Sequence, residues 1–282
     1  MTADAGNVAT SKAAAAARRR TRAPFVTGEY PGFRFFTIVF FFFLYAPILV
    51  LIVYSFNDNR SATLWTEFSI DWYIRAFNND DIRRAALNSL TIALVAASAA
   101  TVIATLAALI LVRGGRFPGH SLAYGLISLP LMVPEIVTAV ATLSFFAAIG
   151  LSLGLGNVII AHTVFCIPFA YMPIQARLSD MDTTFEQAAQ DLYANDWNAF
   201  RHVTLPLMMP GIVAGAMLAF IISIDDVIIT LMVAGAGSTT LPVYIYGMVR
   251  MGVTPEVNAV STVLLAISIL FVSLSWMINR RR

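Results

Sequence analysis

Six long apolar stretches constrain what this chain can fold into more than any other feature of its sequence. They cover residues of about 33–56, 86–112, 121–149, 154–177, 205–232 and 257–279. A bilayer core about 30 Å thick is crossed by roughly 20 apolar residues in a helix. Only helices and closed barrels satisfy their own backbone groups inside lipid. We therefore predict an all-α membrane protein with six transmembrane helices.

The composition indicates that lipid is the solvent for most of the chain. Hydrophobic residues make up 59% of the 282 residues and charged residues only 12%, whereas soluble domains average about 25% charged residues. The net charge of +2 is carried by short flanks between the apolar stretches, which argues against a nucleic-acid partner. The single cysteine, Cys166, cannot form a disulfide within the chain, and no Cys/His motif predicts a metal.

Arginine and lysine are distributed unequally between the two sides of the predicted bundle. With the N-terminus inside, thirteen of the eighteen basic residues fall in cytoplasmic segments and five on the other side. This bias predicts that both termini are cytoplasmic. Residues 1–32 are basic and of low complexity, and we predict a disordered cytoplasmic tail. The stretch at 33–56 is longer than the apolar core of a signal peptide, about 7–15 residues, and is predicted to be an uncleaved span.

One predicted cytoplasmic loop, at 178–204, is long enough to carry a structure of its own. Its sequence predicts a helix over Thr184–Tyr193, capped by Asp182 or Thr183. A second short helix is predicted over Trp197–Val203, just before the fifth span. A polar helix–turn–helix that protrudes between two spans is suited to insertion into a groove of a partner protein.

The order of residues in this loop resembles the permease subunits of type I ABC importers. Their motif is Glu-Ala-Ala, three residues, Gly, nine residues, Ile, one residue and Leu-Pro. At the same spacing this chain has Gln187-Ala188-Ala189, Tyr193, Val203 and Leu205-Pro206. The resemblance implies that the following residues dock on an ATPase subunit: Glu186, Gln187, Ala188, Ala189, Asp191, Tyr193, Val203, Leu205 and Pro206.

Two positions of the loop depart from the family motif. Gln187 occupies the place of the usual glutamate, although Glu186 is adjacent. Tyr193 occupies the place of the glycine, which would adopt a left-handed φ without a steric cost. The tight turn at that position is therefore an open question, whereas the two helices and the Leu-Pro pair are retained.

A closer resemblance links most of the chain to the C-type permease of spermidine/putrescine importers. It rests on PLMVPEIV at 130–137, SIDDVIIT at 223–230 and TTLPVYIYGMVRMGVTPEVNA at 239–259. The resemblance implies the type I ABC importer permease fold in the inner (cytoplasmic) membrane of a bacterium. The partners that it implies are a second permease subunit, two ATPase subunits, a periplasmic binding protein and the lipid bilayer.

The chain lacks the means to hydrolyse ATP. A phosphate-binding loop requires GxxxxGK[ST], in which the lysine reaches the phosphates. The only lysine of the sequence is Lys12, in TSKAA. We therefore expect a transport subunit rather than an enzyme, without a cofactor of its own, and expect ATP and Mg²⁺ to bind to the partner ATPase.

All charges predicted to lie deep in the spans are acidic, namely Glu135, Asp225 and Asp226. Such charges are costly in a bilayer and usually face a bundle interior or a water-filled path. One interpretation is a substrate path that attracts a small organic cation; the alternative is that they cap or stabilise breaks in helices. On one continuous helix Asp225 and Asp226 would point about 100° apart, so that one of them faces the path. His162 is predicted to be a hydrogen-bonded packing residue.

The resemblance favours a polyamine, putrescine or spermidine, as the imported substrate. Permeases for another organic cation, an opine or iron are alternatives within the same class. A proton-coupled secondary transporter is the alternative from another class, but such folds usually contain internal repeats, and none is evident here. An intramembrane aspartyl protease would need carboxylates on two helices, whereas Asp225 and Asp226 are sequence neighbours.

Overall fold

A computed structural model describes residues 32–59, 64–115, 117–252 and 254–280. The predicted tail at 1–32 therefore lies outside the described residues, apart from Gly32. The chain divides into two units, Met1–Leu51 and Ile52–Arg282. The first helix, α1 (Phe33–Tyr54), has 22 residues and is strongly apolar. At about 1.5 Å per residue it is long enough to cross a bilayer core.

The remaining helices follow in chain order. They are α2 (Asp71–Asn78), α3 (Asp80–Ala108), α4 (His120–Met132), α5 (Glu135–Ala148), α6 (Leu155–Asp180), α7 (Thr184–Asp191), α8 (Asp196–Ala199), α9 (Leu205–Asp225), α10 (Ile228–Val233), α11 (Leu241–Met251) and α12 (Pro255–Arg280). Short π-helical turns, Leu109–Arg113 and Phe200–Thr204, end α3 and lead into α9. The helix α3 begins early because the Asn79 side chain accepts hydrogen bonds from the first N–H groups, those of Asp81 and Ile82.

Helices α3, α6 and α9 form the centre of the second unit and pack closely on one another. Small residues of α3 and α9 lie in these contact surfaces, beside larger ones such as Tyr171 and Ile174 of α6. The residues that α3 contributes to this core include Ala93, Ala97, Ala100, Ala104 and Ala108. On α9 the corresponding positions are Gly211 and Gly215, which are buried against α6. Small residues let helix backbones approach closely in lipid, where van der Waals packing rather than the hydrophobic effect drives association.

The predicted span at 121–149 is not one continuous helix. Helices α4 and α5 meet at an angle of 112°. Between them Val133 and Pro134 are extended, with ψ of 134° and 133°. Pro134 removes a backbone donor and disfavours a helical conformation at the residue before it. The predicted span is therefore a bent pair of helices, and the bend lies at Pro134, one of the prolines that the sequence places in this stretch.

The predicted span at 205–232 is also broken. Its long helix, α9, ends at Asp225, and Asp226 is extended with φ −65° and ψ 134°. The short helix α10 then continues from Ile228. Asp225 and Asp226 are therefore not neighbours on one continuous helix, and the geometry from which we expected them to point about 100° apart does not apply.

The described residues contain four helices that are long and apolar enough to cross a membrane, or five if the bent pair α4–α5 counts as one span. These helices include α1, α3 with its π-helical end, α6 and α9 with the segment before it. A shorter apolar helix, Pro255–Leu270, forms most of α12. The six-span topology with both termini in the cytoplasm stays a prediction.

Candidate functional site

The loop between α6 and α9 has the helix–turn–helix structure that its sequence predicts. Helix α7 is followed by a turn, and the Asn195 side chain then accepts a hydrogen bond from the Asn198 N–H at the start of α8. Helix α8 continues through the π-helical turn into α9. The loop is therefore joined to the long helix α9 without an intervening coil, and a movement of α8 acts directly on the end of that helix.

Of the two N-cap candidates, Thr183 occupies the cap position of α7 without a side-chain hydrogen bond, and the side-chain contact at this helix start comes from Asp182. Its Oδ1 accepts a hydrogen bond of 2.9 Å from the Thr184 N–H. The backbone N–H of Thr184, with a further contribution from its side chain, lowers the pKa of Asp182 below its ordinary value. Because the folded pKa is lowered, this contribution to stability is present at neutral pH and is lost only as the pH falls through the lowered pKa.

Tyr193 adopts the left-handed conformation that the family motif reserves for glycine. Its φ is 63°, the only positive φ of a non-glycine residue in the described part of the chain. The Tyr193 N–H bonds to the Gln190 carbonyl at 2.9 Å, and the Ala194 N–H bonds to the Ala189 carbonyl at 3.0 Å. These two bonds form a Schellman motif at the end of α7. The tight turn is retained despite the tyrosine.

We expect Tyr193→Gly to stabilise this turn by about 1 kcal/mol, because a left-handed conformation costs roughly 1–2 kcal/mol for a residue with a Cβ. The measurement is hydrogen exchange of the loop in the purified complex. Protection of the Ala194 amide should rise about fivefold, the equivalent of 1 kcal/mol. Tyr193→Ala is the matched control, since it removes the ring but keeps the Cβ. An equal rise in the protection of the Ala194 amide in both variants would contradict the explanation that the left-handed φ is costly for a residue with a Cβ.

Most of the residues that the motif assigns to docking lie at the surface of the loop. Gln187, Ala188, Asp191, Tyr193 and Pro206 are exposed, whereas Ala189, Val203 and Leu205 are half-buried. Large apolar side chains are exposed beside them: Leu192 by 82%, Trp197 by 63% and Phe185 by 55%. A concentration of exposed apolar side chains in a polar loop is typical of a protein interaction site.

Glu186 is the exception among the predicted docking residues, because its carboxylate turns toward its own chain. Arg113 lies 3.3 Å from Glu186 Oε2, and the Thr204 hydroxyl donates to Oε1 at 3.0 Å. In the sequence, Arg113 is only one of the basic residues that predict the membrane topology, and nothing singles out Thr204. The two residues are 73 and 18 positions from Glu186, and no local spacing signals either contact.

The three acidic residues predicted for the substrate path lie around one cavity. This cavity of about 380 Å³ lies where α5 and α6 meet the break between α9 and α10. Glu135, Asp225 and Asp226 line it together with Phe165 and Phe169. The structure thus brings together all three carboxyl groups that the sequence singled out, and it adds two aromatic rings that the sequence did not.

The three carboxyl groups are in different environments. Asp225 is exposed in the cavity and makes no hydrogen bond or ion pair with any residue that the structure describes. Glu135 is half-buried at the start of α5, next to the carboxyl group of Asp226. Asp226 is buried, with 7% of its surface exposed. Asp225 is therefore the carboxylate that is free to meet a ligand.

Asp226 holds the break between α9 and α10 together. Its Oδ2 accepts hydrogen bonds of 2.9 Å from both the N–H and the hydroxyl of Thr230, near the start of α10. The same oxygen lies 3.2 Å from His162 Nε2 on α6. His162 also contacts the hydroxyls of Ser223 and Thr230 at 2.8 and 2.9 Å. The prediction that His162 is a hydrogen-bonded packing residue is confirmed, and the structural interpretation fits Asp226.

The fold and the loop together define a class: a polytopic membrane component that carries a helix–turn–helix between two long apolar helices. Residues 100–281 match the family described as the inner membrane component of binding-protein-dependent transport systems. The match covers more than half of the chain, and the chain belongs to this family. It is accordingly a permease component of an ABC importer, which acts with a binding protein and an ATPase.

Two curated relatives illustrate the similarity within the family. The chain is 41% identical over 246 residues to the spermidine/putrescine transport system permease protein PotC of Haemophilus influenzae, covering 87% of this chain and 95% of that protein. It is also 41% identical over 231 residues to the putrescine transport system permease protein PotI of Escherichia coli, covering 80% of this chain and 82% of that protein. Both relatives are transport subunits and not enzymes.

Solved structures show the same fold at lower sequence identity. A bacterial ABC transporter for the import of alginate matches with a TM-score of 0.69 and 16% identity, covering 87% of this chain and 92% of the other. The MetNI methionine ABC transporter in an inward-facing conformation matches with a TM-score of 0.61 and 22% identity, covering 70% and 94%. The type I ABC importer permease fold implied by the sequence is confirmed.

Proposed function

We propose that this chain is the permease subunit through which a polyamine, putrescine or spermidine, enters the cytoplasm of a bacterium. The supporting similarity is the identity of about 40% to permeases of spermidine and putrescine transport. A periplasmic binding protein delivers the substrate to this chain and a second permease subunit. Two ATPase subunits bind ATP and Mg²⁺ and drive the cycle, and this chain needs no cofactor.

The observation that carries the choice of a cationic substrate is the cavity at the break between α9 and α10. Its charged lining residues are all carboxylates, and Asp225 is without a counter-ion among the described residues. Phe165 and Phe169 supply aromatic faces, whose ring centroids lie 5.4 Å apart. An ammonium group is attracted by carboxylates more strongly at low dielectric than in water, and it also binds aromatic faces.

The cavity suits a chain with two or more ammonium groups better than a single small ion. Its volume of about 380 Å³ holds a flexible diamine, and the aromatic rings can contact the methylene groups between the charges. We assign Asp225 and Glu135 to the substrate path. Asp226 takes part through its position beside Glu135, while its hydrogen bonds to Thr230 maintain the backbone around the cavity.

We expect Asp225→Asn to lower uptake of radiolabelled putrescine by about tenfold, because it removes one charge from a low-dielectric cavity while keeping the side chain's size. Glu135→Gln should lower uptake to a smaller degree, since Glu135 already lies beside another carboxyl group. Uptake is measured in cells that contain the complete importer.

Two checks separate electrostatics from structure in this experiment. Each variant must purify with its ATPase and hydrolyse ATP at the basal rate, so that lost uptake is not lost assembly. Asp226→Asn serves as the structural comparison, because it weakens the bonds to Thr230 and His162 and should lower the thermal stability of the complex. Full uptake by the variant with both Asp225→Asn and Glu135→Gln would contradict the proposed path.

A further inference from the structure

The carboxylate of Glu186 joins the loop helix α7 to the ends of two long helices. Arg113, at the end of α3, lies 3.3 Å from Oε2 and donates to Oε1 at 3.4 Å, and Oε1 also accepts the Thr204 hydroxyl, just before α9. The side chains of Arg113 and Glu186 are only 20% and 22% exposed. A pair that is largely withdrawn from water is screened less than a surface pair, and its geometry is better maintained.

Arg113 adds a third long helix to the same contact. Its Nη2 donates a hydrogen bond of 2.9 Å to the carbonyl of Met181, the C-cap residue that follows α6. The helices α3, α6 and α9 are the three that form the centre of the bundle. All three therefore meet α7 at one ion pair, which we call the Glu186 junction: Arg113, Met181, Glu186 and Thr204.

Two of the helix ends at this junction are π-helical. Arg113 and Thr204 are the last residues of the turns Leu109–Arg113 and Phe200–Thr204, and the Leu205 N–H bonds to the Phe200 carbonyl five residues back. Well under 1% of residues in proteins are π-helical, and single π-helical turns inside helices are often found at functional sites. Such a turn holds one more residue than an α-helical turn, so its conversion changes the register of the helix end.

We propose that Glu186 and Arg113 are positioning residues that transmit movement of α7 to α3, α6 and α9. The proposal rests on the proposed docking of the loop on an ATPase subunit. The exposed face of α7, with Gln187 and Ala188, contacts the ATPase, while Glu186 on its inner side holds the helix ends. Neither Glu186 nor Arg113 touches nucleotide or substrate; they determine whether hydrolysis is converted into opening and closing of the path.

The test measures the ATP hydrolysed per putrescine imported by the complete importer in lipid vesicles. Glu186→Gln removes the charge but can still accept a hydrogen bond from Thr204. We expect it to raise the ratio by about tenfold, the effect of losing one charge-assisted hydrogen bond. Arg113→Gln should raise the ratio similarly. The double variant should match Arg113→Gln, because the ion pair is already absent once Arg113 is replaced.

Asp180→Asn is the matched control. Asp180 is also a carboxylate near the loop, but it is exposed and makes no hydrogen bond or ion pair among the described residues. The Asp180→Asn importer should hydrolyse as much ATP per putrescine imported as the unmodified importer. Unchanged ratios in Glu186→Gln and Arg113→Gln would overturn the proposal, as would additive effects in the double variant.

Retention of the ATPase during purification separates this proposal from the proposed function. We expect the Glu186→Gln importer to retain its ATPase. Loss of the ATPase from that variant alone would mean that Glu186 contacts the ATPase directly, which overturns the positioning role. If the unmodified permease itself does not bind an ATPase, it is the proposed function that fails.

Discussion

Gly215→Ala is expected to separate α9 from α6 and to destabilise the permease by about 1–3 kcal/mol, as overpacking of a close-packed interior does. A Cβ at position 215 would lie 2.5 Å from the Ala170 carbonyl oxygen and 3.1 Å from Ile174 Cγ1. The nearest atom belongs to the backbone of α6, which cannot rotate away as a side chain can. The helices must therefore move apart, and the small-residue packing that stabilises them in lipid is lost.

The measurement is the thermal midpoint of the detergent-purified complex, together with the amount of permease in the membrane. Gly247→Ala, on α11, is the matched control, because a Cβ there meets nothing within 4 Å. Alanine is about 1 kcal/mol better than glycine inside a helix, so the control should be unchanged or slightly stabilised. A Gly215→Ala midpoint equal to that of the control would contradict the close approach of α6 and α9.

Ala188→Arg is expected to reduce uptake about a hundredfold while the permease still inserts into the membrane. Ala188 is exposed on α7, so the arginine clashes with nothing in its own chain. In a docked loop it would place an unpaired charge in an interface, which costs about 3–5 kcal/mol. Ala189 is half-buried, and its substitution would mix loop folding with docking, which makes Ala188 the cleaner position.

Uptake of radiolabelled putrescine and co-purification of the ATPase are measured on the same preparation. Ala188→Ser, which adds a single hydroxyl and no charge, is the control and should support normal uptake. Loss of the ATPase together with loss of uptake supports docking through α7. Normal uptake by Ala188→Arg would show that the loop does not dock in the proposed manner.

The loop shows which structural features can be predicted from local sequence and which cannot. The positions of α7 and α8 follow from capping residues and helix-favouring stretches, and the spacing from Gln187 to Pro206 identified the family. The directions in which the side chains of the loop point could not be predicted from its sequence. Glu186 and Gln187 are neighbours in the motif region, yet Glu186 turns toward Arg113 and Gln187 is exposed. That difference depends on where α3 ends relative to α7, which is a tertiary property.

At the break between α9 and α10, the acidic residues also show one property that the sequence predicts and another that depends on the tertiary structure. Their number and sign are evident in the sequence, and so is the expectation that one aspartate faces the path. Which aspartate does so depends on the end of α9 at Asp225 and on the capping of α10 by Asp226. His162 contributes to that network from α6, some sixty residues away, and no periodicity within α9 contains this information.

The sequence by itself determined the membrane environment, the positions of the apolar helices, the helix–turn–helix and the family. These properties follow from composition, hydropathy and local capping, which act over a few turns of one helix. Only the tertiary structure decided where the helices break, which carboxylates are free and how α7 is joined to the bundle. A proline or an aspartate within an apolar stretch is compatible with either a continuous or a broken helix. The outcome depends on whether the freed backbone groups find other partners, as the Ile229 and Thr230 N–H groups do in the Asp226 carboxylate, which His162 contacts from α6.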